Sequence, residues 1–293
     1  MTKKHFYQSG ISLIELMIAI ALGLVLVAGA TQIFMANSQA FRLQSNISAT
    51  QESGRLGLEM LLADLRRAGV DDPESILSGA SLRFGVTGKN ASAAPADIAG
   101  LLVESDEVTV SYRVPPEVAS MSDCEGRAAN ATQVIVNRYF IKLDNNPSVP
   151  ALFCEGSVDG SAATGGVALI RGVESFQVQY GLASGFGETA GKGNGFTAPV
   201  RYILGGNGTL QNFDADAAIN DKDALLVAAI RVGLLLRSEN GIQGVRAPAN
   251  SIRVLDDVVA QGDLEGVTVN GSFPVHRLFI GTAAMRNVAY GYF

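Results

Sequence analysis

The sequence predicts an α+β chain: a long N-terminal α-helix, transmembrane in its first half and amphipathic in its second, packed on a mostly antiparallel β-sheet head. Three observations predict it. A run of 21 residues from Leu16 to Ala36 carries no charge. The apolar positions that follow recur in steps of three and four, with no proline before Pro73. Beyond residue 70 the chain turns to short alternating or β-branched stretches, the pattern of half-buried strands.

Composition bounds the answer. The chain has 293 residues, 47% of them hydrophobic and 17% charged, so it has apolar surface for a core and is not a disordered chain. Its net charge of -6, and the balance beyond residue 70 of 16 basic against 24 acidic residues, argue against nucleic-acid binding, which needs clustered Lys and Arg.

The first element is the apolar run. Residues 1–10 hold Lys3 and Lys4 and no acid, and apolar chain extends from Ile11 through Ala36. As a helix rising about 1.5 Å per residue, the run spans a hydrocarbon layer of roughly 30 Å. It is longer than a secretory signal needs, and no small-x-small site with polar chain follows it, so a retained anchor is expected. Lys3 and Lys4 place the N-terminus in the cytoplasm and export the rest. Cys124 and Cys154 then lie where disulfides persist and are expected to form one; a metal pair and a catalytic thiol are the alternatives. Glu15 sits one turn into the run. A carboxylate there is costly unless paired or held at headgroup depth, which marks it as a functional residue.

The second element continues the first. Ala40, Leu43, Ile47, Thr50, Gly54, Leu58, Leu61, Leu65 and Ala68 form one face of a helix. Arg42, Glu52, Arg55, Glu59, Asp64 and Arg67 are expected on the polar face. Arg66, Arg67 and then Gly69 mark the end. One helix is thus expected over 11–68, with Gly23, Gly29, Gly54 and Gly57 as points where it bends or melts.

Five strands are expected next: 107–114 (EVTVSYRV), 133–143 (QVIVNRYFIKL), 172–182 (GVESFQVQYGL), 225–237 (LLVAAIRVGLLLR) and 275–284 (VHRLFIGTAA). Long loops are expected at 71–106, 115–132, 183–223 and 238–271.

Two sets of residues carry a resemblance. A basic leader ending in Gly10, then Ile11-Ser-Leu-Ile-Glu15-Leu-Met, resembles the processing site of type IV prepilins, with Ile11 where the family usually has Phe. Residues 58–70 (LEMLLADLRRAGV), 172–181, 228–238 (AAIRVGLLLRS) and 276–287 (HRLFIGTAAMRN) resemble blocks of PilW-type minor pilins. The resemblance implies a pilin-like fold divided into a leader at 1–10, a transmembrane half-helix at 11–36, an amphipathic half at 37–69 and an extracytoplasmic β-rich head at 70–293. It implies cleavage after Gly10 by the prepilin peptidase, methylation at Ile11, and pairing of Glu15 with the N-terminal ammonium of a neighbouring subunit. Its implied partners are other minor pilins, the major pilin, the peptidase/methyltransferase, the assembly platform and a tip adhesin. Its implied location is the inner membrane, with a periplasmic head, and then the pilus. The function implied is priming of pilus assembly, with incorporation at or near the tip. A J-type pseudopilin of type II secretion shares this plan; a membrane-anchored extracytoplasmic enzyme or binding protein is the alternative of another class.

Catalytic and metal patterns are weak. Asp214, Asp216, Asn220, Asp221 and Asp223 crowd FDADAAINDKD, but Ala218 stands where an EF-hand wants an oxygen ligand and Ile219 where it wants Gly. A solvated acidic turn is expected and a calcium site is the alternative; otherwise no cofactor is expected. Residues 185–192 (GFGETAGK) miss the phosphate-loop spacing by one residue and lack the Ser or Thr after the Lys. The head has one histidine, His276, and no G-x-S-x-G elbow, so no enzyme is expected.

Overall fold

Helix α1, Leu13–Leu65, runs without interruption for 53 residues and is followed, among the described residues, by fourteen strands. The computed structural model describes residues 12–69, 86–89, 105–145, 148–162, 164–183, 201–204, 212–214, 226–241, 246, 250–259, 261, 268–269 and 271–285. The chain divides into two units, Met1–Ser45 and Asn46–Phe293.

As far as Ala36 the helix is apolar on every side, and the first unit buries none of that surface: Leu13, Leu26 and Phe34 are all more than 70% exposed. One polar side chain here is satisfied locally. The Thr31 hydroxyl lies 2.8 Å from the Val27 carbonyl and 2.9 Å from that of Ala28, on its own preceding turn. Gly23 and Gly29, expected as weak points, are helical with open space around them. A backbone bonded within one helix is tolerated in a bilayer, and by length and composition this helix could cross one.

In the second unit segment 46–65 has a buried face: Thr50, Gly54, Gly57, Leu58, Leu61, Leu62, Asp64 and Leu65. Gly54 and Gly57 correct the expectation of bends. A Cβ at Gly54 would run into the Phe279 ring, and one at Gly57 into the Ile170 side chain, so these glycines let the helix lie close to the sheets. The helix ends at Leu65, three residues short of the expected Ala68. A tighter turn follows, with Arg67 N–H bonded to Asp64 O at 2.9 Å and Ala68 N–H to Leu65 O at 3.2 Å. Gly69 adopts φ 74° and donates its N–H to Ser111 O at 3.0 Å.

Two main sheets are antiparallel throughout. The first orders β10 (Asn212–Asp214), β1 (Val86–Lys89), β2 (Glu107–Arg113), β5 (Val134–Asn145), β6 (Ser148–Val158) and β7 (Val167–Arg171). The second orders β14 (His276–Ala284), β11 (Leu226–Arg237), β8 (Val173–Ala183) and β9 (Arg201–Leu204). The described residues also form two hairpins: β3 (Ser120–Ser122) with β4 (Ala128–Asn130), and β12 (Ile252–Val254) with β13 (Asp257–Val259). One core takes Leu58, Leu61 and Leu65 from the helix, Val108, Val110, Ile135 and Leu152 from the first sheet, and Phe176, Val178, Val232 and Leu234 from the second. The second sheet also packs on its other side, where Leu235 meets Val254 and Val259 of the hairpin.

The five expected strands are β2, β5, β8, β11 and β14, each within one or two residues of its expected bounds. The stretches expected as long loops carry β1, β3, β4, β9, β10, β12 and β13. Strand β6 was not foreseen. It contains Pro150 and Gly156, residues that argue against a strand, and its residues from Val149 to Cys154 are buried without alternation, so neither composition nor period marks it.

Candidate functional site

The residues expected to act fall in three places. Gly10 and Ile11, the expected processing pair, lie outside the described residues, as do Asp216, Asp221 and Asp223 and the glycine-rich 185–192. Asp214 closes the three-residue edge strand β10. Among the described residues no group of three His, Cys, Asp or Glu side chains is placed to hold a metal ion. Glu15 stands exposed in the first turn of α1, its N–H bonded to Ser12 O at 3.0 Å. An acid in a first turn complements the positive end of the helix dipole.

Cys124 and Cys154 are joined by a disulfide across 30 residues of chain. It ties the turn of the β3–β4 hairpin to β6, and polar contacts reinforce the tie. Buried Asp123 accepts the backbone N–H of Glu125 at 2.9 Å and of Arg127 at 2.8 Å through Oδ1. Its Oδ2 pairs with Arg127 Nε at 2.8 Å, and the Arg127 guanidinium also donates to the Gly156 carbonyl on β6. Glu125 returns the contact by accepting the Gly156 N–H at 3.1 Å.

Asp64 is where the structure departs furthest from the expectation of a solvated polar face. It is 7% exposed. Tyr112 on β2 donates its hydroxyl to Oδ1 at 2.9 Å. Tyr139 on β5 donates to Oδ2 at 2.7 Å, and Asn137 Nδ2 donates to the same oxygen at 2.9 Å. Arg67 reaches Oδ1 at 3.6 Å from the surface. Burial first, then the Asp64 charge, pushes both phenols above their ordinary range, so both remain hydrogen-bond donors. Asn137 connects this cluster to the disulfide, because its Oδ1 accepts the Cys124 N–H at 3.2 Å. A signal for Asp64 lay in the sequence. Gly54, Gly57, Leu61, Asp64 and Ala68 follow one another in steps of three and four, so the carboxylate lies within the buried stripe.

His276 belongs to a second buried group. On neighbouring strands of the second sheet, His276 Nε2 lies 2.9 Å from Glu174 Oε2, and Arg237 Nη1 lies 3.2 Å from Oε1. The group knits β14, β11 and β8 together at one end of the sheet.

Residues 138–287, half of the chain, match the family described as type IV pilus-assembly protein W. Residues 6–31 match the prokaryotic N-terminal methylation motif, a stretch that includes Gly10, Ile11 and Glu15. No curated protein matches the sequence. Among solved structures, the type IV-like pilin TTHA1219 from Thermus thermophilus is similar at 13% identity, covering 82% of this chain and 96% of that one with a TM-score of 0.41.

Proposed function

The chain belongs to the family of type IV pilus-assembly protein W, and on that premise we propose that it is a minor pilin that primes pilus assembly and enters the filament at or near its tip. The observation that carries the proposal is the helix itself. Leu13–Leu65 is continuous, its first unit has no buried face, and its later segment is fixed in a folded head. A helix apolar on every side needs lipid or other helices around it. Removable signals have no use for a helix that continues into a head.

In this reading residues 1–10 are the leader, 11–36 the transmembrane half of the helix, 37–69 its amphipathic half and 70–293 the head. A prepilin peptidase cuts after Gly10 on the cytoplasmic side, and the new N-terminus at Ile11 is methylated. Glu15 neutralises the ammonium of a neighbouring subunit, since a buried charge is tolerated when matched. The head is periplasmic before assembly, which suits the Cys124–Cys154 disulfide. Other minor pilins, the major pilin and the assembly platform are its partners. The protein is a structural component without catalytic or cofactor chemistry of its own.

The test is N-terminal sequencing and intact mass of the protein recovered from membranes and from sheared pili. The expected product starts at methylated Ile11 and is present in both fractions. A product that starts beyond the apolar run, or one absent from pili, overturns the proposal.

A further inference from the structure

We propose that Asp64 is a register-setting residue: its carboxylate, gripped by Tyr112, Tyr139 and Asn137, fixes the rotation and height of segment 46–65 on the head. The surrounding contacts supply burial and steric exclusion, and the carboxylate adds direction. Leu58, Leu61, Leu62 and Leu65 select the face that is buried, but their apolar contacts are non-directional and set its exact angle and height only loosely. Gly54 and Gly57 bar slipped positions by clash, because a Cβ at either would run into Phe279 or Ile170, but they supply no attraction that draws the helix into its place. Hydrogen bonds to a buried carboxylate are directional. A slip of one residue turns the helix by about 100° and moves it about 1.5 Å, which takes Asp64 away from all three donors. It would take from the carboxylate its three donors and from the Tyr139 hydroxyl its acceptor.

The placement of Asp64 supports a positioning role over a helix-stabilising one. An acid in the last turn opposes the negative end of the helix dipole. The receiving groups are themselves held. Asn137 is pinned through its Oδ1 by the Cys124 N–H, and its Nδ2 also lies 3.3 Å from the Tyr112 hydroxyl. With rotation fixed, Leu56 and Met60 are the large apolar side chains left outward on this segment, at 58% and 54% exposure. That this orientation matters for entry into a filament rests on the function proposed above; the positioning itself does not.

The experiment is hydrogen exchange on the full chain in detergent, comparing peptides over 58–69 with peptides over β5, β8 and β11, in wild type, Asp64→Leu and Asp64→Asn. Asp64→Leu is expected to speed exchange over 58–69 by about tenfold or more and leave the three strands at wild-type rates. Asp64→Asn keeps the size and one oxygen acceptor and is expected to stay within about threefold of wild type. Unchanged exchange over 58–69 in Asp64→Leu overturns the proposal. So does equal acceleration of helix and strands, which would make Asp64 a general stabiliser. If Asp64→Leu does not accumulate, the Tyr112→Phe, Tyr139→Phe pair removes the grip from the sheet side and is read by the same criteria. Absence of the wild-type protein from pili would count against the assembly reading alone, since the exchange comparison needs no pilus.

Discussion

Asp64 and its two tyrosines make a pH prediction at the scale of single residues. Tyr112 and Tyr139 are raised above the ordinary 10.0 by burial and then by the Asp64 charge. A phenol whose folded value is raised contributes stability that is fully present below its unfolded value and is lost as pH rises through the folded one. The thermal midpoint in detergent is therefore expected to be level from about pH 7 to about pH 9 and to fall above about pH 10. Tyr180, raised by burial and then by Asp106, adds to the same slope. The Tyr112→Phe, Tyr139→Phe pair should make the alkaline fall shallower without abolishing it. An unchanged slope in that pair would show that neither phenol is protected by the head.

At the scale of elements, two predictions concern how pieces are held together. Gly57 faces Ile170 on β7, and Gly54 faces Phe279 on β14. Gly57→Val is expected to destabilise the head by about 1–3 kcal/mol through overpacking, even though it removes a poor helix former. Gly23→Ala and Gly29→Ala, where nothing lies within 4 Å, should show no loss. Thermal unfolding of the three variants separates the close-packing role from simple helix propensity. The disulfide closes a loop of 30 residues, for which the chain-entropy model gives about 3–4 kcal/mol. The Cys124→Ser, Cys154→Ser double variant is expected to lose about that much and to become insensitive to reductant. The Asp123–Arg127–Gly156 contacts should keep the hairpin near β6, so the variant is expected to fold.

At the scale of the whole molecule the prediction concerns Glu15. Replacing it with Ala removes a charge from an otherwise uncharged run, so membrane insertion should survive and cleavage after Gly10 should continue. Entry into the filament should fail if Glu15 makes the proposed pairing, because the ammonium that it neutralises loses its counter-charge. The measurement is the protein's abundance in sheared pili at matched membrane levels, in wild type and Glu15→Ala. Equal abundance would remove the proposed role of Glu15.

Sequence pattern is enough to mark the helix, the uncharged run within it, and the strands β2, β5, β8, β11 and β14. These are local patterns. A period of 3.6 or 2 repeats within a dozen residues and needs no knowledge of the partner. The tertiary structure alone decided that β6 is a strand, since its residues gain regular pairing only from β5 and β7 on either side. It alone decided that β11 lies between β8 and β14, and that short strands fill the stretches read as loops. Asp64 shows the boundary most clearly. Its spacing places it on the buried stripe, but its charge places it in water, and the sequence cannot rank the two. The ranking came from Tyr112, Tyr139 and Asn137, between 48 and 75 residues further along the chain, which supply the hydrogen bonds that make burial of a carboxylate tolerable.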